Sequence, residues 1–161
     1  MFEGATNKFS YYFPGTVLGL LAYVAMVAPN AAVAPPVAPG MRWVEVSGPA
    51  RVAPGKAFVV SARARNIGAS AWEPVGEGRA EVAAMVVDGT GNPWTGQPRP
   101  GRFAYAVPPG GAGTARVHIT APDIPGSYTV LLGVTHWESG RATPDPALPA
   151  RLEFQVAAPA R

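Results

Sequence analysis

The chain has 161 residues and a formal charge of +3, and its basic residues (Arg51, Arg63, Arg79, Arg99, Arg116, Arg141) are scattered without a dense run. A nucleic-acid footprint needs charge gathered on one face, so this spacing argues against nucleic acid as a partner. Only 14 % of residues are charged and 48 % are hydrophobic, which excludes a wholly disordered chain. The absence of Cys excludes disulfides, thiolate nucleophiles and Cys-based metal sites.

Residues 1–13 read as a cytoplasmic or interfacial segment, with Phe9, Tyr11, Tyr12 and Phe13 forming an aromatic belt. No charged side chain stands between Lys8 and Arg42, and Pro14 suits a first helical position. Residues 14–34 are therefore expected to form one transmembrane helix. The most apolar part, Pro14–Ala28, spans ~22 Å against a hydrocarbon core of ~30 Å, so the crossing borrows residues on one side or the other. Gly15 and Gly19 form a small-xxx-small pair that permits close helix contact. A cleaved signal peptide ending at Ala34 is the rival reading; Pro35 after that bond speaks for an uncleaved anchor. Lys8 and the amino terminus favour a cytoplasmic N-terminus. Residues 35–41 make a proline-rich tether, extended at ~3.1 Å per residue.

From residue 42 to 157 short alternating runs are separated by turn residues, the pattern of an all-β sandwich. Seven strands are expected: A (42–46), B (57–65), C (80–87), D (102–107), E (114–120), F (127–136) and G (151–156), with 158–161 as a tail. In B, Phe58, Val60, Ala62 and Ala64 share one face and Ser61, Arg63 and Arg65 the other. Gly or Pro interrupts almost every window after Gly40, which argues against long helices there.

Three features together resemble a known group. Asn66-Ile67-Gly68 with Trp72, the Val107-Pro108-Pro109-Gly110 turn, and Ala121-Pro122 with Pro125-Gly126-Ser127-Tyr128 look like bacterial Ig-like or fibronectin-III-like accessory domains. These are similar to the central Ig-like domain of selective autophagy receptors. The resemblance implies an Ig-like β-sandwich that binds or spaces and performs no reaction. It also implies structural roles for Asn66 and for Tyr128, the latter as a tyrosine corner whose hydroxyl returns to backbone near Pro122–Asp123. The core is expected around Val60, Trp72, Val117 and Val130.

No catalytic, cofactor or metal site is expected. His118 and His136 fall on different strands, no serine lies in a G-x-S-x-G context, and the acids are dispersed. Gly89–Gly91 with Asn92 reads as a hairpin turn. Trp94, Tyr105 and Trp137 form either a sugar-stacking platform or, more in keeping with a small sandwich, core and interface.

Strand direction brings the B–C, D–E and F–G loops to the end where the tether joins. The F–G loop, residues 137–150, is long and proline-stiffened, a form suited to a preorganised contact. Trp72, Pro74, Trp137, Arg141, Pro144 and Pro146 are the expected partner-binding residues, with Gly15 and Gly19 in the helix. The expected protein is a non-catalytic accessory subunit of a bacterial photosynthetic or respiratory complex. It would cross the inner membrane once, touching lipid and integral-membrane subunits, with its sandwich in the periplasm. No small-molecule substrate is expected. The alternative is a tethered or secreted module that binds glycan or cell-wall ligand.

Overall fold

The computed structural model describes residues 40–96 and 98–157. The expected membrane helix with Gly15 and Gly19, the tether up to residue 39, and the tail lie outside the described residues. No helix among the described residues is long and apolar enough to cross a membrane.

The described residues are all-β, with nine strands: β1 (Met41–Ser47), β2 (Arg51–Val52), β3 (Ala57–Asn66), β4 (Ala80–Asp88), β5 (Gly101–Arg102), β6 (Ala112–Thr120), β7 (Gly126–Glu138), β8 (Arg141–Pro144) and β9 (Ala150–Val156). Three of them form one sheet in the order β1-β3-β6. The other six form a second, β2-β9-β7-β4-β5, with β8 paired to β7. Two short edge segments pass from one sheet to the other. After β1 the chain changes sheet, and β2 runs parallel to β9. On the other flank Gly101 pairs with β4 while Phe103 bridges Ala115 of β6.

Two expected elements take a different form. Strand D shrinks to β5, because Phe103 turns its ring into the core at 1 % exposure and Val107 bridges Trp72 instead. Gly101 permits this crossing, since a Cβ there would meet the Arg116 carbonyl oxygen at 2.7 Å. The expected F–G loop is in part a hairpin. β7 continues to Glu138, and Ser139 and Gly140 take φ values of 51° and 73° before β8 begins. Two successive positive-φ residues are what a type I′ turn requires, and its twist matches that of the flanking strands.

Side-chain alternation builds the core. Phe58, Val60, Ala62 and Ala64 of β3 and Ala115, Val117 and Ile119 of β6 face Val82, Val86, Val130, Leu132, Val134, Phe154 and Val156 across the sandwich, all buried. Each large side chain so buried contributes about 1.5–3 kcal/mol, and without disulfides this packing carries the stability. The expected centres Val60, Trp72, Val117 and Val130 all belong to this cluster.

Candidate functional site

The candidate site is the end of the sandwich where the chain arrives at Gly40. The Gly40 carbonyl accepts from the amides of Ile67 (2.9 Å) and Gly68 (3.0 Å), which brings the β3–β4 loop beside the start of β1. The Gly40 amide donates to Asp145 Oδ2 at 2.9 Å, which brings in the segment between β8 and β9. Asn66 joins the third segment. Its side-chain amide donates to the carbonyls of Ser70 (2.8 Å) and Val107 (2.9 Å), and its Oδ1 accepts from Gly68 N (3.0 Å). Its backbone groups pair with Gly110 and Gly111. Asn66 is fully buried, and this set of bonds occupies its side chain. The structural role that the Asn66 motif implies is thus the joining of two loops.

Asp145, 3 % exposed, is the second hub. Besides Gly40 its carboxylate accepts from Ala147 N at 2.9 Å and lies 3.0 Å from His136 Nε2. The His136 ring packs on Trp72 at 5.9 Å between centroids. Outside these hubs, Trp43 Nε1 donates to the Leu148 carbonyl (3.1 Å) and Ser139 N to Glu77 Oε1 (2.6 Å). A short loop with so many fixed groups has little entropy left to lose on binding.

On this rigid frame stand exposed apolar side chains. Ile67, Val75, Tyr105 and Leu148 are 48, 65, 83 and 81 % exposed. Sequence reasoning weighed Tyr105 with Trp94 and Trp137 and passed over the other three as contact residues. The available signal was an isolated large apolar residue inside a Gly/Pro loop: Asn-Ile-Gly, Pro-Val-Gly, Ala-Leu-Pro. No strand alternation calls for an apolar residue there.

The expected contact residues divide. Trp72 is 3 % exposed and stacks on Phe103 at 5.2 Å, so its ring belongs to the core and offers no docking surface. Pro74 and Pro144 are half-buried, while Arg141 and Pro146 are exposed on the β7–β8 hairpin and the loop after it. Trp137 is half-buried in a polar cluster on the outer face of the larger sheet. Its Nε1 donates to Glu81 Oε2 (3.2 Å), and the Arg79 guanidinium lies 4.4 Å from its ring centroid. Glu81 Oε1 meets Arg102 Nε at 2.9 Å and Arg79 Nε at 3.2 Å.

Trp94 and Trp137 do not combine into a sugar platform. The Trp94 amide bonds to Val86 and the Trp137 amide to Arg79, at opposite ends of β4 and ~20 Å apart along the strand. Tyr128 donates to the Ile124 carbonyl (2.9 Å), a tyrosine corner that closes just beyond the expected Pro122–Asp123.

As chemistry, this end offers contact surface. His136 and Asp145 form a pair, but no hydroxyl among the described residues hydrogen-bonds to either. Among the described residues no three His, Asp or Glu side chains converge as metal ligands. Asp88 is held below its ordinary pKa, first by the Thr90 hydroxyl and then by the Asn92 amide, within the hairpin turn at Gly89–Gly91.

The sequence matches no protein-family model and no curated protein. In structure the chain is similar to the C-terminal domain of Wzt, with TM-score 0.56, 10 % identity and coverage of 76 % of each chain. It overlaps the alkylpurine DNA glycosylase AlkC of Pseudomonas fluorescens with TM-score 0.46 and 15 % identity, over 74 % of this chain but 31 % of that one. It overlaps a CARDB domain from Pyrococcus furiosus, solved with di-metal ions, with TM-score 0.44 and 16 % identity, over 74 and 89 %. The likeness to the Wzt domain supports an Ig-like β-sandwich. At 10 % identity it reaches the fold alone.

Proposed function

We propose that the chain is a non-catalytic accessory subunit of a larger bacterial integral-membrane complex, photosynthetic or respiratory, and that the Gly40 end is its docking surface. Residues 14–34 would hold it in the inner membrane with the N-terminus in the cytoplasm and the sandwich in the periplasm. The supporting observation is the group of exposed apolar tips, Ile67, Val75, Tyr105 and Leu148, on loops fixed by Asn66 and Asp145. Exposed apolar side chains gathered at one end of a domain mark contact sites, and rigid loops lower the entropy cost of using them. Their position beside Gly40 favours a partner close to the membrane, because the chain runs from there toward residues 14–34.

Gentle detergent extraction followed by native mass measurement tests the reading. Co-migration with a large assembly is the expected result, and co-migration should be lost when Ile67, Val75 and Leu148 are all changed to Ser. Gly15→Leu with Gly19→Leu should weaken it as well. A free monomer that gains mass with added polysaccharide would favour the glycan-binding alternative.

A further inference from the structure

The outer face of the three-stranded sheet is basic. Pairing sets Arg42 opposite Arg65, Glu45 opposite Arg63, and Ser61 opposite Arg116, and all four arginines are exposed. His118 continues the face along β6, and Arg99 bridges to it at the edge. None of these four arginines forms an ion pair with a described residue, and Glu45 is the one acid among the strand positions on this face. The opposite sheet differs. There Glu81 engages Arg79 and Arg102, and Glu153 stands between Arg151 and Gln155.

Charge spread in sequence is thus gathered by register. Arg42, Arg63 with Arg65, and Arg116 occupy three adjacent strands, a patch of about 14 by 10 Å at ordinary strand rise and spacing. The Arg42–Arg65 pair sharpens the point, because like charges directly opposite across strands destabilise a sheet. A local rule broken without structural return marks a functional surface.

We infer that this face lies on a bilayer surface and binds anionic lipid headgroups. Arg42 follows Gly40 by two residues, so the patch begins where the chain continues toward the uncharged stretch that ends at Arg42. Gly40 and Met41 belong to the sandwich, so residues 35–39 are the free tether and reach ~15 Å when extended, enough to lay the sandwich on its side. With the basic face down, the apolar tips of the Gly40 end point along the membrane plane, toward a partner embedded beside the helix. The proposal rests on the membrane-anchored reading for the source of lipid. Each arginine near an anionic surface strengthens attachment about fivefold, and salt screens that gain.

The chain has no Cys, so Ser61→Cys places a single fluorescent label within the patch and Gln155→Cys one on the opposite sheet. The full chain is reconstituted in vesicles carrying an energy acceptor on the headgroups. Changing neutral for anionic lipid should raise transfer from position 61, leave position 155 unchanged, and lose its effect in high salt. Arg42→Gln, Arg63→Gln, Arg65→Gln and Arg116→Gln together should abolish the response, while the four Lys variants retain it.

Equal response of both labels, or none, overturns the proposal. So does binding of a short DNA duplex through these arginines while anionic vesicles leave position 61 unmoved. Retention on neutral vesicles after a high-salt wash reports the anchor separately: retention without response to lipid charge overturns docking alone. Loss from neutral vesicles with salt-sensitive capture on anionic ones overturns the anchor and sustains docking.

Discussion

Both ends of the sandwich pack aromatic rings, and they differ in the buried polar bonds added to them. At the far end, rings do the packing: Phe154 lies 5.0 Å from Phe58 and 5.8 Å from Tyr128 between centroids. At the Gly40 end, Trp72 stacks on Phe103, and two buried polar hubs, Asn66 and Asp145, also tie four chain segments by directed bonds. Apolar packing is non-directional and tolerates volume-conserving exchange. A buried polar hub tolerates little, because each bond it loses leaves a desolvated partner. The molecule therefore keeps fixed loop geometry at the end that groups Ile67, Val75, Tyr105 and Leu148, whereas the far end exposes Ile124 in a turn.

The largest effects break the two ends in turn. Phe154→Ala should lower stability by about 3–5 kcal/mol through the cavity it leaves, whereas Phe154→Leu should cost less than half of that. Asn66→Ala should cost about 3 kcal/mol, since it removes three bonds at once and strips the Ser70 carbonyl of its partner, while the Gly68 amide keeps Gly40 and the Val107 carbonyl keeps Trp72. The decisive variant is the isosteric Asn66→Asp, which replaces the donating amide with a carboxylate aimed at two carbonyls, and it should be no milder than Ala. Denaturant midpoints of the full chain in mild detergent measure all four. A tolerated Asn66→Asp would remove the distinction between the ends.

How far these elements could be read beforehand follows the same division. Strict alternation made β3, β6 and β9 legible, because Phe58, Val117 and Phe154 have no other way to share a face with their neighbours. β8 was missed although Ser139-Gly140 is a turn dipeptide, because the prolines that follow suggested a loop. Strand D failed for a long-range reason. Phe103 and Val107 answer to Ala115 and Trp72, which no local window contains. The basic face was illegible for the same cause: Arg42, Arg65 and Arg116 lie far apart in the chain, and only strand register makes them neighbours. Trp72 was expected both in the core and as a contact residue, and the β3–β4 loop folds it under, which leaves only the first role.

A smaller effect sharpens the account of the far end. Tyr128→Phe keeps the ring stacked on Phe154 and removes only the bond to the Ile124 carbonyl, an acceptor in an exposed turn that water can reach. The loss should be about 1 kcal/mol. A loss as large as that of Asn66→Ala would mean that this end too depends on a directed bond.

The smallest expected effect is set by pH. Asp88 Oδ1 accepts from Thr90 Oγ1 (2.7 Å), Thr90 N (2.9 Å) and Asn92 N (2.9 Å), and these bonds favour the ionised form. The folded pKa is therefore depressed from 3.8, so protonation is taken up more readily by the unfolded chain. The contribution is full above the unfolded value and fades as pH falls through the lower folded one. Asp88→Asn retains an oxygen for the turn but removes the charge. Its melting temperature should sit below that of the unsubstituted chain near pH 6, by less than the Tyr128→Phe difference, and the two should converge as the pH is lowered from 4 toward 2. A gap that persists unchanged in acid would assign the turn's stability to neutral hydrogen bonding, with no part for the carboxylate charge.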